Sequence, residues 1–196
     1  MIVNHSHLHM ADTLPPTLAA PLGRLWAYWR NLGKEVGKPV PAKADIRIGG
    51  LGATLPNIVI SERIDDDKVV IRLAGSAMED MTGRPLAGLN LLDLTPSSQR
   101  ERIARVYNNL FTAPCGFHIA ESLRTDGGKR FVLAALVLPL LSPEGDARFT
   151  IGQYAITRNG FEDTDIKPNA VIEHRQIDAF GYIDIGFGLP DQSPPA

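Results

Sequence analysis

At 196 residues and 44% hydrophobic composition, the chain can bury a core of its own without covalent staples. A formal net charge of -2 leaves no basic footprint of the kind nucleic-acid binding needs. Cys115, the single cysteine, excludes an intrachain disulfide and a cysteine-cluster metal site, which points to a reducing compartment and a cytoplasmic protein.

Residues 1–17 read as a flexible arm that ends in Pro15-Pro16 and shows no periodicity. His5, His7 and His9 alternate, so an extended segment would bring the three rings to one side, where a transition metal could sit. A mobile arm supplies no outer contacts to fix such rings, and a solvated tail is the expectation. Met1 to Met10 lack a basic stretch followed by a long apolar run, so no secretion signal is expected. The longest apolar run is about half of the roughly 20 residues a membrane helix needs, so no membrane contact is expected.

Residues 18–37 hold Leu18, Leu22, Leu25, Trp26, Trp29 and Leu32 at steps of three and four, one wide apolar stripe on a helix ending near Gly33. Two tryptophans make the stripe too apolar to stay wet. It must cover either its own sheet or the same helix of a second copy, and Leu22, Leu25, Trp26, Trp29 and Leu32 are the expected dimerisation residues. Prolines and glycines from Gly37 to Pro56 break regular structure. Asn57 to Ile64 and Val69 to Ala74 then form a hairpin across Asp65-Asp66-Asp67-Lys68, with Val69, Ile71 and Leu73 expected on one face. Ser76-Ala77-Met78-Glu79 fits a capping box opening a short helix that closes at Gly83. Thr95 and Pro96 supply an expected N-cap and first helical residue for a helix whose stripe is Ile103, Val106, Tyr107, Leu110 and Phe111.

Cys115, Phe117, Ile119, Glu121 and Leu123 alternate with small or polar residues in a third strand. The turn Asp126-Gly127-Gly128-Lys129 leads from it into Arg130 to Leu141, the organising element of the chain. That run shows no in/out alternation, so it should be a strand covered on both faces. Pro139 argues against a helix and, near the end of a strand, removes only one ladder bond. Phe149 to Thr157 is a fifth strand. Residues 161–196 are mixed, and Val171 to Tyr182 suits a helix or a strand.

The order of elements and several strings resemble the PAS domain family, in particular a bacterial subgroup with a tryptophan-rich leading helix. The strings are Leu25-Trp26-Ala27-Tyr28-Trp29-Arg30 with Leu32, Pro41, Asp45-Ile46, Leu55-Pro56-Asn57, Arg72-Leu73-Ala74-Gly75, and Gly83-Arg84 with Gly88, spread over residues 22 to 158. Lys43 departs from the arginine expected there. The resemblance implies an α+β fold at 38–160, a five-stranded antiparallel sheet with helices on one face and a small cavity between. It also implies that the leading helix caps the opposite face or pairs subunits.

No catalytic constellation has the right spacing, and Gly49-Gly50-Leu51-Gly52 lacks the Lys-Ser/Thr of a phosphate loop. Haem-binding members of the family place a histidine on the helix before the third strand, and residues 89 to 114 have none. Flavin photosensors need a reactive cysteine on the short helices, whereas Cys115 opens a strand. Neither cofactor is supported. His118 is expected to be structural. Met78, Met81, Arg84, Leu91, Leu94, Tyr107 and Leu136 are the cavity candidates, the apolar ones from their place on the helices and the central strand. The expectation is a dimeric, non-catalytic sensory and regulatory module acting through a protein partner, with or without a small-molecule ligand. A stand-alone small-molecule binding protein is the alternative, and an enzyme on a similar curved sheet the remote one.

Overall fold

The computed structural model describes residues 16–125, 128–158, 161–162 and 172–190. His5, His7 and His9 lie outside them. Helix α1 spans Pro16–Glu35, and three short helical turns follow at Lys43–Asp45, Ile48–Leu51 (α2) and Gly52–Asn57. Strands β1 (Ile58–Asp65) and β2 (Lys68–Ala74) form the expected hairpin. Then come α3 (Ser76–Thr82), a 3-10 turn at Leu91–Leu94, α4 (Ser97–Thr112), β3 (Gly116–Thr125), β4 (Arg130–Leu141), β5 (Ala147–Arg158), the two-residue β6 (Phe161–Glu162) and β7 (Ile172–Ile183). Every strand pair is antiparallel, in the order β2-β1-β5-β4-β3-β7, with β6 pairing β5 off this path.

Strand β4 occupies the run predicted for it and is covered on both sides. Leu136, Leu138 and Leu140 pack with Leu22, Leu25 and Trp29 of α1. Ala135 and Val137 pack with Tyr107, Leu110 and Phe111 of α4. This double cover is why the run carries no alternation. Pro139 is tolerated for a local reason. The β3 ladder reaches β4 only as far as Phe117 opposite Val137, so Pro139 lies beyond it. Its carbonyl accepts the Trp29 indole N–H at 2.9 Å, and two residues on the Leu141 amide donates to Pro41 at 3.0 Å. Helix α1 and the segment after it thus satisfy an edge that β3 leaves open.

The α1 stripe therefore covers its own sheet. Leu22 and Leu25 are 0% exposed and Trp29 and Leu32 3%, so the expected dimerisation surface is instead intramolecular core, with Trp26 only partly buried. The physical reason is the apolar underside of β1, β4 and β5, where Ile58, Ile60, Leu136 and Ile151 need a cover. Gln153 on the same face accepts the backbone N–H of Leu25 at 3.2 Å.

Other expectations shift by single residues. Val69 and Ile71 face the helices, but Leu73 packs on the α1 side, because a register shift pairs Ile60 with Leu73 and Ser61 with Ile71. The capping box at Ser76 does not form: Gly75 is the N-cap and the Glu79 carboxylate accepts the Leu86 amide at 3.1 Å. Helix α4 starts at Ser97, with Pro96 as its N-cap. Gly50 owes its place to packing, since a Cβ there would meet the Tyr28 ring at 2.6 Å. The sheet gains β7, which lies along β3 over Gly116–Thr125 of the same chain. Among the described residues no helix is long and apolar enough to cross a membrane.

Candidate ligand site on the helical face of the sheet

The face of the sheet opposite α1 is roofed by α3, the Leu91–Leu94 turn and α4. Met78 packs with Val59, Ile71 and Leu86, and Met81, Leu91, Leu94 and Tyr154 lean on that group. Tyr107 packs with Val106, Leu110, Phe111 and Phe117, and Leu91 and Tyr154 lean on it as well. Tyr154, on β5, is thus the residue where the clusters meet, and it also touches the group of Leu123, Phe131 and Leu133. Asn90 holds the overlying turn in place, its side-chain oxygen accepting from Val69 at 3.0 Å and from Leu92 at 3.2 Å. Met81, Leu91, Leu94 and Tyr154 keep part of their surface accessible.

The polar groups here come from α4, β5, β3 and β7. Burial raises the Tyr107 phenol well above its ordinary 10.0, and the neighbouring Tyr154 hydroxyl adds to the rise. Burial likewise raises Tyr154, Glu121 adding to the rise and Tyr107 and Arg175 opposing it. Both phenols are neutral in the physiological range and can offer hydrogen bonds without acting as bases. Glu121 of β3 is 4% exposed, and its carboxylate accepts from the Arg175 guanidinium of β7 at 2.6 Å. Arg175 Nε is buried with no hydrogen-bond partner. Further along the β3–β7 pair, Phe117 stacks on Phe180 at 6.0 Å, Phe180 meets Tyr182 edge to face at 5.0 Å, and Asn109 of α4 donates to the Tyr182 hydroxyl at 3.0 Å.

Of the residues singled out from sequence, Met78, Met81, Leu91, Leu94 and Tyr107 come together at this face. Arg84 is exposed on the segment after α3. Leu136 points the other way, 0% exposed in the cluster beneath α1, because its odd-numbered neighbours on β4 are the ones that face the helices. Tyr154, Glu121 and Arg175 were missed. Tyr154 sat inside a predicted strand with no signal of its face; the alternation put Glu121 on the face of Phe117 and Ile119 but offered it no partner, and Arg175 joins it only through pairing across 54 residues.

Cys115 is 0% exposed beside α4, and burial pushes its thiol up to about 12, with Asp184 adding to the rise. It is a poor nucleophile. Among the described residues no group of His, Cys, Asp and Glu is placed to hold a metal ion.

His118 faces away from Tyr154, on the Ala120 side of β3. It is 3% exposed, and a Cβ on Gly181 would lie 2.7 Å from its Nε2. Burial lowers the imidazole from 6.5 to about 4. The unfolded chain takes up this proton near 6.5 and the folded chain only near 4, so stability is complete above the first value and falls as pH drops towards the second. The loss at its fullest is about 3 kcal/mol. Thermal unfolding between these pH values should therefore show an acid slope that His118→Gln flattens. An unchanged slope in the variant would place its source elsewhere.

A protein-family model described as PAS domain matches residues 18–155. The chain belongs to the PAS domain family. No curated protein matches it. Among solved structures it is similar to a light-oxygen-voltage domain studied with a flavin analogue, at 19% identity and TM-score 0.42 over 57% of this chain and 84% of the other. It is also similar to the photo-excited blue-light photoreceptor Vivid, at 19% identity and TM-score 0.42 over 66% and 92%. The LOV protein of Rhodobacter sphaeroides matches at 10% identity and TM-score 0.41 over 52% and 59%. Strand β7, with Arg175, Phe180 and Tyr182, lies beyond the stretch that the PAS model matches.

Proposed function

We propose that this PAS domain is a non-catalytic sensory and regulatory module of the cytoplasm. Its input is a small molecule seated beside Tyr154, and its output is a change in protein contacts. The observation that carries the reading is the meeting of the clusters at partly accessible Tyr154, apolar on the Met78, Met81, Leu91 and Leu94 side and bordered by the Tyr107 hydroxyl and the Glu121–Arg175 pair. Such a surface suits a small ligand with an apolar body and one hydrogen-bonding group. The polar groups on this face are neutral phenols or an ion pair, which supports binding over acid-base chemistry. A ligand here touches β5 and, through Glu121, β7. It shifts the population of β7 arrangements only by its difference in affinity for them.

Native mass spectrometry of the protein as purified tests the reading. The expected spectrum carries a stoichiometric small-molecule adduct that Tyr154→Ala loses, and the subunit count in the same spectrum reports self-association. An adduct whose loss leaves subunit count and partner binding unaltered would favour a stand-alone binding protein. A spectrum without adduct in both proteins removes the ligand input and leaves the interaction module.

A further inference from the structure

We propose that a second site, on the α1 side of the sheet, binds a small organic anion with a planar apolar body. The site is a groove of about 540 Å³ between the C-terminal half of α1 and the turn after β7. That volume is in the range of small-molecule sites. It is independent of Tyr154, which lies across the sheet.

The lining explains the ligand class. Partly exposed Trp26 supplies the aromatic wall, and Trp29, 3% exposed, backs it with its ring stacked 6.2 Å away at 9°. The Arg30 guanidinium lies 5.5 Å from the Trp26 ring centre, and Lys34 and Lys38 also line the groove. None of these three cations has a carboxylate partner among the described residues, and Glu35, next to Lys34, pairs instead with Arg47 at 3.4 Å. Asp184 is the one carboxylate in the lining. Its Oδ1 is taken up by the amides of Gly186 at 2.7 Å and Gly188 at 3.0 Å. The last carbonyls of α1 would repel an anion, but those of Leu32, Gly33 and Lys34 already accept from Val36, Lys38 and Gly37. Three cations against one engaged carboxylate, beside the partly exposed Trp26 indole, favour a carboxylate or phosphate carried on a flat apolar body. Ile185 and Pro39 complete the apolar contact.

Trp26 and Trp29 are the two tryptophans of the chain, so the Trp26 indole N–H resonance reports on this groove, while the Trp29 N–H, held by the Pro139 carbonyl, senses it only through the stacked Trp26 ring. The test titrates the isotope-labelled full chain with naphthoate, naphthyl phosphate and the neutral naphthamide. The expected result is a shift of the Trp26 indole signal by at least one anion, which binds about fivefold or more tighter than the amide. Preference between the two anions names the head group. Lys34→Gln/Lys38→Gln should weaken the anions about fivefold and leave the amide and the thermal midpoint unmoved, while Arg24→Gln, outside the groove, changes nothing. Equal affinity for anion and amide, full affinity in the double variant, or a silent Trp26 indole signal would each overturn the proposal. None of these outcomes depends on whether a ligand sits at Tyr154.

Discussion

Trp29→Ala is expected to cost about 3–5 kcal/mol of folding stability, whereas Trp26→Ala, three residues earlier on the same stripe, costs far less. Trp29 is 3% exposed and fills the space between α1 and the underside of β4 and β5. Truncation leaves a cavity there. It also strips the Pro139 carbonyl of its 2.9 Å indole donor, at an edge with no β3 residue to replace it. Trp26 is partly exposed and gives up little more than its stacking and the Arg30 contact. Chemical denaturation of the two variants makes the comparison. Equal losses would mean that α1 is not seated as described. A fall in subunit count at unchanged stability would return the stripe to the role of an interface between copies.

Arg175→Met is expected to cost about 3 kcal/mol at neutral pH, although Arg175 lies outside the stretch matched to the family. The Glu121 side chain is 5% exposed, so the variant buries a carboxylate without its cation. Protonation relieves that strain. The deficit relative to the parent should therefore shrink on acidification, a trend opposite in sign to the His118 effect and separable from it in the background of His118→Gln. Glu121→Leu/Arg175→Met removes both charges and should recover to within about 1 kcal/mol of the parent. A single variant as stable as the parent would show that the pair does not hold β7 against β3.

Periodicity along the chain was enough to place α1, the β1–β2 hairpin, α4 and the three long strands, because a stripe at steps of three or four and an alternation of two are local consequences of backbone geometry. The doubly covered β4 was legible for the same reason, as a run with no polar side and a glycine turn before it. The short helix at Ser76 was read locally, and the family resemblance added that the helices pack over one face of the sheet, where Met78, Met81, Leu91, Leu94 and Tyr107 were expected from their place on those helices. Cover and facing were not legible. An unbroken apolar run cannot say which of its two parities lies under which layer, so Leu136 was assigned to the wrong side and Tyr154, alone on β5 in touching three clusters, went unnoticed. The shift that turns Leu73 to the α1 side is a property of the β1–β2 register, not of β2 alone. The amphipathic stripe of α1 demanded a cover without naming it. Its own sheet supplies that cover because the chain from Val40 to Ile58 brings α1 back over β1, β4 and β5. Local composition determined which segments are helix and strand; only the long-range pairing of β3 with β7 and of β1 with β5 decided which side chains meet, since contacts between residues far apart in sequence leave no periodic trace within either segment.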